Sequence, residues 1–369
     1  MDDKTVKIIE NVENEISKID KKENKIFFFV VDTKGSPSGS LEYIYNLALI
    51  LKEDGYDVNM LHTDKEFVGV GAWLGEEYTN LPHFNVNDGE ISTSPSDILF
   101  IPEIYSQVMN QTKSLPCKRI AILQNYDYVV EQMPYVAQWG DFGIMDCITN
   151  SDYQGKELNK SFPYVKMKKI TPYISDIFGE YMEQPPRKMV VNIITKDPSI
   201  SKKIVKPFYW KYPLFKWVSF KEVKNLPKTG FAEELRDAAV TIVVDDDTSF
   251  GYSALEAMKS GSIVMMKVPQ TGLDWAASDD NALPNCCIWF NDYDTLHRQL
   301  VSVVRAYLTD NVPQTLKDES DEILSKLTKE NTAKEFREYI AKIQTKRKEE
   351  MLSLIESVKN KDKEVKTQE

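Results

Sequence analysis

The stretch Asp245-Asp246-Asp247-Thr248-Ser249-Phe250-Gly251-Tyr252-Ser253-Ala254-Leu255-Glu256-Ala257-Met258-Lys259-Ser260-Gly261 decides how the rest of the chain is read. An apolar run at 240–244 ends in three carboxylates. A turn follows, and a helix then opens on small and hydroxyl residues with Glu256 one turn in. At such a strand-to-helix junction the first helical N–H groups have no partner within the helix, so the turn can receive a phosphate. Read structurally, Ser249 and Ser253 cap the helix and Gly251 makes a tight turn. Read chemically, Gly251 lets backbone approach a ligand and the two serines meet phosphate oxygens.

A second junction of this kind lies near the other end. Residues 26–31 form a continuous apolar run, the signature of a strand buried on both faces of a parallel sheet. The loop Asp32-Thr33-Lys34-Gly35-Ser36-Pro37-Ser38-Gly39-Ser40 comes next, then a helix with Leu41, Ile44, Ala48 and Leu51 on one face and Gly55 past its end. Residues 58–61 make the following strand. This βαβ unit places Gly39 and Ser40 at the carboxyl end of its first strand, where open α/β sheets bind ligands. Turn chemistry and helix capping are the bland account of the same two residues.

Between and beyond these units, strands are expected at 98–101, 119–123 and 146–149, and then at 189–194, 217–220, 240–244, 263–266 and 287–290. Helices are expected between them, among them 232–239 and 294–308. The alternation argues for doubly wound parallel sheets. Gln184-Pro185-Pro186-Arg187 reads as a linker between two Rossmann-like units. Ile9, Val12, Ile16 and Ile19 stripe an N-terminal helix, which must bury against the first unit or a partner helix. Past Pro313 the chain turns charged and helical, with Phe336, Ile340 and Ile343 on one stripe. Residues 359–369 have almost no apolar content and are expected to fray.

Composition sets outer limits. At 369 residues, 42% hydrophobic and 28% charged, the chain is long enough for two globular domains. No apolar run reaches the length of a membrane span, and the first residues do not resemble a secretory signal. Cys117, Cys147, Cys286 and Cys287 lie in or beside apolar runs without zinc-type spacing, and read as buried thiols of a cytoplasmic protein. The net charge of −11 disfavours non-specific binding to nucleic acid or anionic membrane, although Lys202, Lys203 and Lys206 make a local basic stretch.

With two such units and a terminal helix, the chain resembles the GT-B glycosyltransferases, and most of all the large retaining family of nucleotide-sugar enzymes often called family 4. Ser249-Phe250-Gly251…Leu255-Glu256-Ala257-Met258…Gly261 is similar to the second half of that family's motif of two glutamates eight positions apart. The resemblance implies a GT-B fold, two Rossmann-like domains facing a cleft with a C-terminal crossover helix. Its implied boundaries are a helix over 1–20, an acceptor domain over 21–183, a donor domain over 184–312, crossover helices over 313–345 and a charged tail over 346–369. It implies a sugar moved from a nucleotide-sugar donor to a hydroxyl acceptor, with retention and without a tightly bound cofactor.

The donor residues implied are Thr248, Ser249, Phe250, Gly251, Tyr252, Ser253 and Glu256, with Lys196 and Lys202 or Lys203 on the diphosphate and Gly39 and Ser40 across the cleft. Glu256 would take the ribose; a glutamate paired with a lysine is the structural account of that position. Thr248 stands where the motif has its first glutamate, the residue expected to hold the donor sugar. A catalytically silent scaffold is therefore one alternative, and a phage-type enzyme modifying DNA bases is another. The Asp-x-Asp within Asp245-Asp246-Asp247 invites a divalent-metal reading. Solvated carboxylates at a helix start are the preferred one, so no metal is expected. No catalytic base is assigned, and pairing of copies through the terminal helices remains open.

Overall fold

The structure, a computed structural model, describes residues 3–89, 91–179, 187–245, 250–269, 273–276 and 283–368. Two all-parallel sheets organise it. The first contains β1 (Lys25–Phe29), β2 (Asp57–His62), β3 (His83–Asn85), β4 (Ile98–Pro102), β5 (Lys118–Leu123), β6 (Asp146–Thr149) and β7 (Lys166–Lys169), in the order β3-β2-β1-β4-β5-β6-β7. The second contains β8 (Lys188–Thr195), β9 (Ser219–Glu222), β10 (Ala238–Val244), β11 (Ile263–Lys267) and β12 (Ile288–Phe290), in the order β12-β11-β10-β8-β9. Central strands carry the apolar runs: Ile26 to Phe29 in β1 and all of β10 are buried.

The sequence reading passed over β3 and β7. Both are edge strands that stay partly exposed, so His83-Phe84-Asn85 and Lys166-Met167-Lys168-Lys169 need no apolar run. It also set two boundaries wrongly. The helix expected over 232–239 is α7 (Lys228–Asp237), and Ala238 and Ala239 instead open β10, where Ala238 pairs with Lys188. Alanine tolerates either state, and pairing along the sheet decides. β9 begins at Ser219, two residues later than expected, and Trp217 is left exposed before it.

Helices cover both faces of each sheet. α1 (Asp3–Asp20) buries Ile9 and Ile19. The helix it packs along belongs to this same chain: α11 (Lys329–Gln368), where Lys348 bonds Asp20 at 2.7 Å. Glu15 of α1 also accepts from Ser96, tying the helix to the first sheet's flank. The end expected to fray continues as helix to Gln368, because α11 extends the packed turns before it, where Met351 and Ile355 are buried.

α11 matters most for assembly. It follows α10 (Gln314–Ser325) on the second unit and returns to the first, setting Ala333, Phe336, Ile340 and Ile343 into the core beneath β1 and β4. Phe336 is fully buried against Phe100, so its truncation to alanine would cost about 3–5 kcal/mol. The segment after β7 crosses the other way, with Ile170 and Tyr173 in the first core and Ile174 and Phe178 in the second. Of the expected linker, Gln184-Pro185-Pro186 lies outside the described residues; Arg187 leads into β8 and bonds the carbonyls of Leu235 and Ala238. All four cysteines are buried free thiols, and no helix among the described residues is long and apolar enough to cross a membrane.

Candidate functional site

Strand order reverses direction of growth between β1 and β4 in the first sheet, and between β8 and β10 in the second. Loops leaving such a switch point part to opposite faces and leave a crevice at the carboxyl ends of the strands. The two crevices face each other across a cleft of about 700 Å³.

The first wall is held by its own carboxylates. After β1, Asp32 accepts from the N–H groups of Lys34 and Val68 at 2.9 and 3.0 Å and from the Lys34 ammonium at 2.9 Å. Burial pushes the Asp32 carboxyl up, but the Val68 N–H and Lys34 outweigh it and leave its pKa lowered. Lys34 and Gly35 both adopt positive φ, which makes the turn before α2 (Gly39–Glu53). Ser38 caps that helix by accepting from Leu41 N–H, so the cap lies one residue before Gly39 and Ser40. From β4, fully buried Glu103 accepts from the N–H groups of Gln124 and Asn125, and burial raises its pKa to about 7. Gln124 in turn donates to the Ser40 carbonyl at 3.0 Å.

The second wall has less internal bonding among its described residues. Lys196, three-quarters exposed after β8, pairs with Asp245 at 3.1 Å. That carboxylate of the Asp-x-Asp run is therefore partnered, not freely solvated as expected; Asp246, Asp247, Thr248 and Ser249 lie outside the described residues. Lys202 and Lys203 sit on the exposed face of α6 (Pro198–Lys211) and do not line the cleft. The register expected for them fails because α6 carries them away from the strand ends.

Phe250 is buried and its carbonyl accepts from Trp275 Nε1 at 2.6 Å. Gly251, at φ +78°, is the N-cap of α8 (Tyr252–Lys259), with no side chain capping it. A Cβ there would meet Trp275 at 3.2 Å, so both conformation and space favour glycine. Ser253 lies inside α8 rather than capping it. Tyr252 crosses the cleft floor and packs on Gly39, whose added Cβ would stand 3.0 Å from the ring.

One turn into α8, Glu256 is buried yet lines the cleft. Burial and the neighbouring Glu42 carboxylate raise its pKa from 4.5 to about 8, against the pull of Lys228. The cause is arithmetic: two carboxylates share one ammonium. Lys228, from α7, makes its ion pair with Glu42 of α2, both side chains under a tenth exposed. The expected pairing of Glu256 with a lysine thus exists only as a shared charge.

The same Lys228 donates its backbone N–H to the Trp73 carbonyl at 2.7 Å, stitching the two units along the cleft. A second stitch lies at Asp274. Its carboxylate accepts from Ser151 Oγ at 2.9 Å, the N–H groups of Asp152 and Tyr153 at 2.6 and 3.2 Å, and Lys169 at 3.2 Å. A carboxylate from one unit thereby caps α5 (Asp152–Ser161) of the other, where the helix dipole favours it.

Gly39, Ser40, Lys196, Phe250, Gly251, Tyr252, Ser253 and Glu256 are brought together around one cleft. Sequence reasoning missed Glu42, Lys228 and Asp274. Glu42 stands two positions past the loop already singled out and was within reach of inspection; Lys228 and Asp274 carry no local signal. No group of residues able to hold a metal ion occurs among those described.

No family model matches the chain. No curated protein matches its sequence. Solved structures do match its fold. The HepE protein of Anabaena, in complex with UDP and glucose, superposes with a TM-score of 0.62 at 10% identity, over 86% of this chain and 100% of its own. The pneumococcal O-GlcNAc transferase GtfA, in complex with UDP and GlcNAc, gives 0.61 at 9%, over 87% and 99%. Sucrose-phosphate synthase from Thermosynechococcus elongatus gives 0.58 at 12%, over 87% and 99%. At such identities the likeness is one of architecture. With two parallel sheets, opposed switch points and a returning C-terminal helix, the fold is GT-B.

Proposed function

We propose that the protein is a glycosyltransferase that takes a sugar from a nucleotide-sugar donor and passes it to a hydroxyl acceptor with retention. The reading rests above all on Glu256, a buried carboxyl opening into the cleft one turn inside the helix that starts at the second switch point. A carboxylate there accepts hydrogen bonds from two ribose hydroxyls, which sets a diphosphate at the start of α8. The helix N–H groups and Lys196, exchanging Asp245 for phosphate, oppose the charge that grows on the leaving diphosphate. Phe250, Gly251, Tyr252 and Ser253 line the donor side, and Gly39 and Ser40 face them. The leaving phosphate itself takes the proton of the acceptor hydroxyl, so no base is assigned. Several matching structures carry UDP with a sugar, which favours this ligand class.

Calorimetric titration with a panel of nucleoside diphosphates and their sugars tests the proposal. At least one is expected to bind, and Glu256→Gln should weaken it about tenfold, the loss of one of the two oxygens that would take the ribose hydroxyls. Failure of every donor to bind would sink the reading. Thr248, in place of the motif's first glutamate, favours a second one, a silent scaffold. Donor bound but never hydrolysed or transferred would select it.

A further inference from the structure

Between Asp197 and Glu222 the sequence has no acidic residue and six lysines, at 202, 203, 206, 211, 216 and 221, in a chain whose net charge is −11. The proposed transfer uses none of them. Structure gives the run a shape. Lys202, Lys203 and Lys206 lie on the exposed face of α6, and the helix ends at an outward tryptophan, Trp210, 75% exposed. A short 3-10 turn (Pro213–Phe215) follows, with Leu214 at 85% exposure and then Trp217 at 51%. These three project from a half-buried aromatic base: Phe215 stacks on Trp217 at 6.4 Å and meets Phe208 at 6.2 Å, itself the fully buried anchor of α6. Arg298 and Arg305 of α9 (Tyr293–Leu308), the helix beside α6, add positive charge; Arg305 lies over the Phe215 ring. The acidic groups on that side are engaged: Asp294 by both Lys211 and Arg298, Asp292 by capping α9 through Thr295, and Glu222 by Lys224.

We propose that this corner, the outer face of α6 with Trp210, Leu214 and Trp217 at its tip, docks the protein on an anionic lipid bilayer. Exposed apolar side chains on a firm base mark an interaction surface. The surrounding chemistry selects the partner. Protein interfaces are depleted in lysine, whereas here lysine surrounds the apolar tip. A nucleic acid would stack on the indoles but gives Leu214 nothing to enter. A bilayer satisfies all three components: indoles sit at the headgroup level, leucine reaches the acyl boundary, and lysines pair with anionic headgroups while their stems lie on apolar surface. The overall negative charge opposes approach in any other orientation. α6 starts beside the cleft at Pro198 and spans 14 residues, so the docking tip stands roughly 20 Å from the site. Docking by this corner therefore leaves the cleft uncovered.

Co-sedimentation of the full-length protein with phosphatidylcholine vesicles, with and without phosphatidylglycerol, tests the proposal. Binding is expected only to the anionic vesicles, weakening as salt is raised. Replacing Lys202, Lys203 and Lys206 by glutamine should lower the partition constant by roughly fivefold per lysine. Trp210→Ser with Leu214→Ser and Trp217→Ser should abolish binding that persists at moderate salt. These side chains are exposed, so circular dichroism and the melting temperature should stay unchanged, and the lysine set serves if the apolar set fails to fold. Absence of binding to anionic vesicles at low salt, or binding indifferent to both sets, would overturn it. So would a concentration-dependent dimer dissolved by the serine variants, which would assign the patch to a second copy. None of these readouts depends on donor binding.

Discussion

The two walls of the cleft are made of the same unit, a parallel strand, a glycine-containing turn and a helix, but they dispose of their carboxylates in opposite ways. On the first wall Asp32 uses both oxygens on backbone N–H groups and the Lys34 ammonium, and Glu103 accepts two backbone N–H groups on one oxygen. They fix the loops and have little left for a ligand. Among the described residues of the second wall, Asp245 holds the exposed Lys196, and the buried Glu256 carboxyl accepts no hydrogen bond. A carboxylate satisfied by its own backbone is architecture; a carboxyl buried beside a cavity without such hydrogen bonds is set up for an incoming group. The first wall thus supplies rigidity, the second carries the groups the proposed donor binding would use, and Lys228 joins them.

Breaking that joint should give the largest effect. Lys228→Met leaves Glu42 and Glu256 buried without their ammonium, and urea denaturation at pH 8 should show a loss of about 3–5 kcal/mol. The deficit should shrink at pH 5, where Glu256 holds its proton and one fewer charge is left without its ammonium. A variant within 1 kcal/mol of the parent at pH 8, a loss well below that of about 3 kcal/mol expected for a broken buried pair, would remove Lys228 from its central place.

The second stitch ranks next. Asp274→Asn keeps shape but gives up the charge that caps α5 and holds Lys169. A loss of about 1–3 kcal/mol is expected, with a larger radius of gyration in small-angle scattering as the units part. Unchanged scattering and stability would show that Lys228, Trp73 and α11 alone set the closure.

The smallest effect is the most diagnostic. Glu256 keeps its proton in the folded state to about pH 8, whereas the unfolded chain releases it near 4.5. The folded state therefore binds more protons between those values, and stability should fall as pH rises through that window. Glu103, raised to about 7, adds a fall of the same sign. Glu256→Gln should flatten the upper part of the curve, between pH 7 and 8, and leave the Glu103 part. An identical curve for the variant would mean that Glu256 is ionised throughout.

Much of the architecture was legible because central parallel strands must be apolar on both faces, and the runs at 26–31 and 240–244 could hardly be anything else. Edge strands β3 and β7 were not, since a half-exposed strand of lysine, histidine and asparagine has no period to read. At the site, Gly251 and Glu256 could be found from the turn and helix that hold them. Lys202 was misplaced because a lysine's reach depends on where its helix points, and α6 points away.

What the sequence determined by itself is local: two strand-turn-helix junctions, their glycines, a buried carboxyl one turn into a helix, and a basic run with no acid between Asp197 and Glu222. Only the tertiary structure decided which groups share a charge. Glu42, Lys228 and Glu256 lie far apart in the chain and meet because α11 and the segment after β7 bring the carboxyl ends of two sheets to face each other. Secondary structure follows from neighbours along the chain, while a buried charge balance follows from neighbours in space.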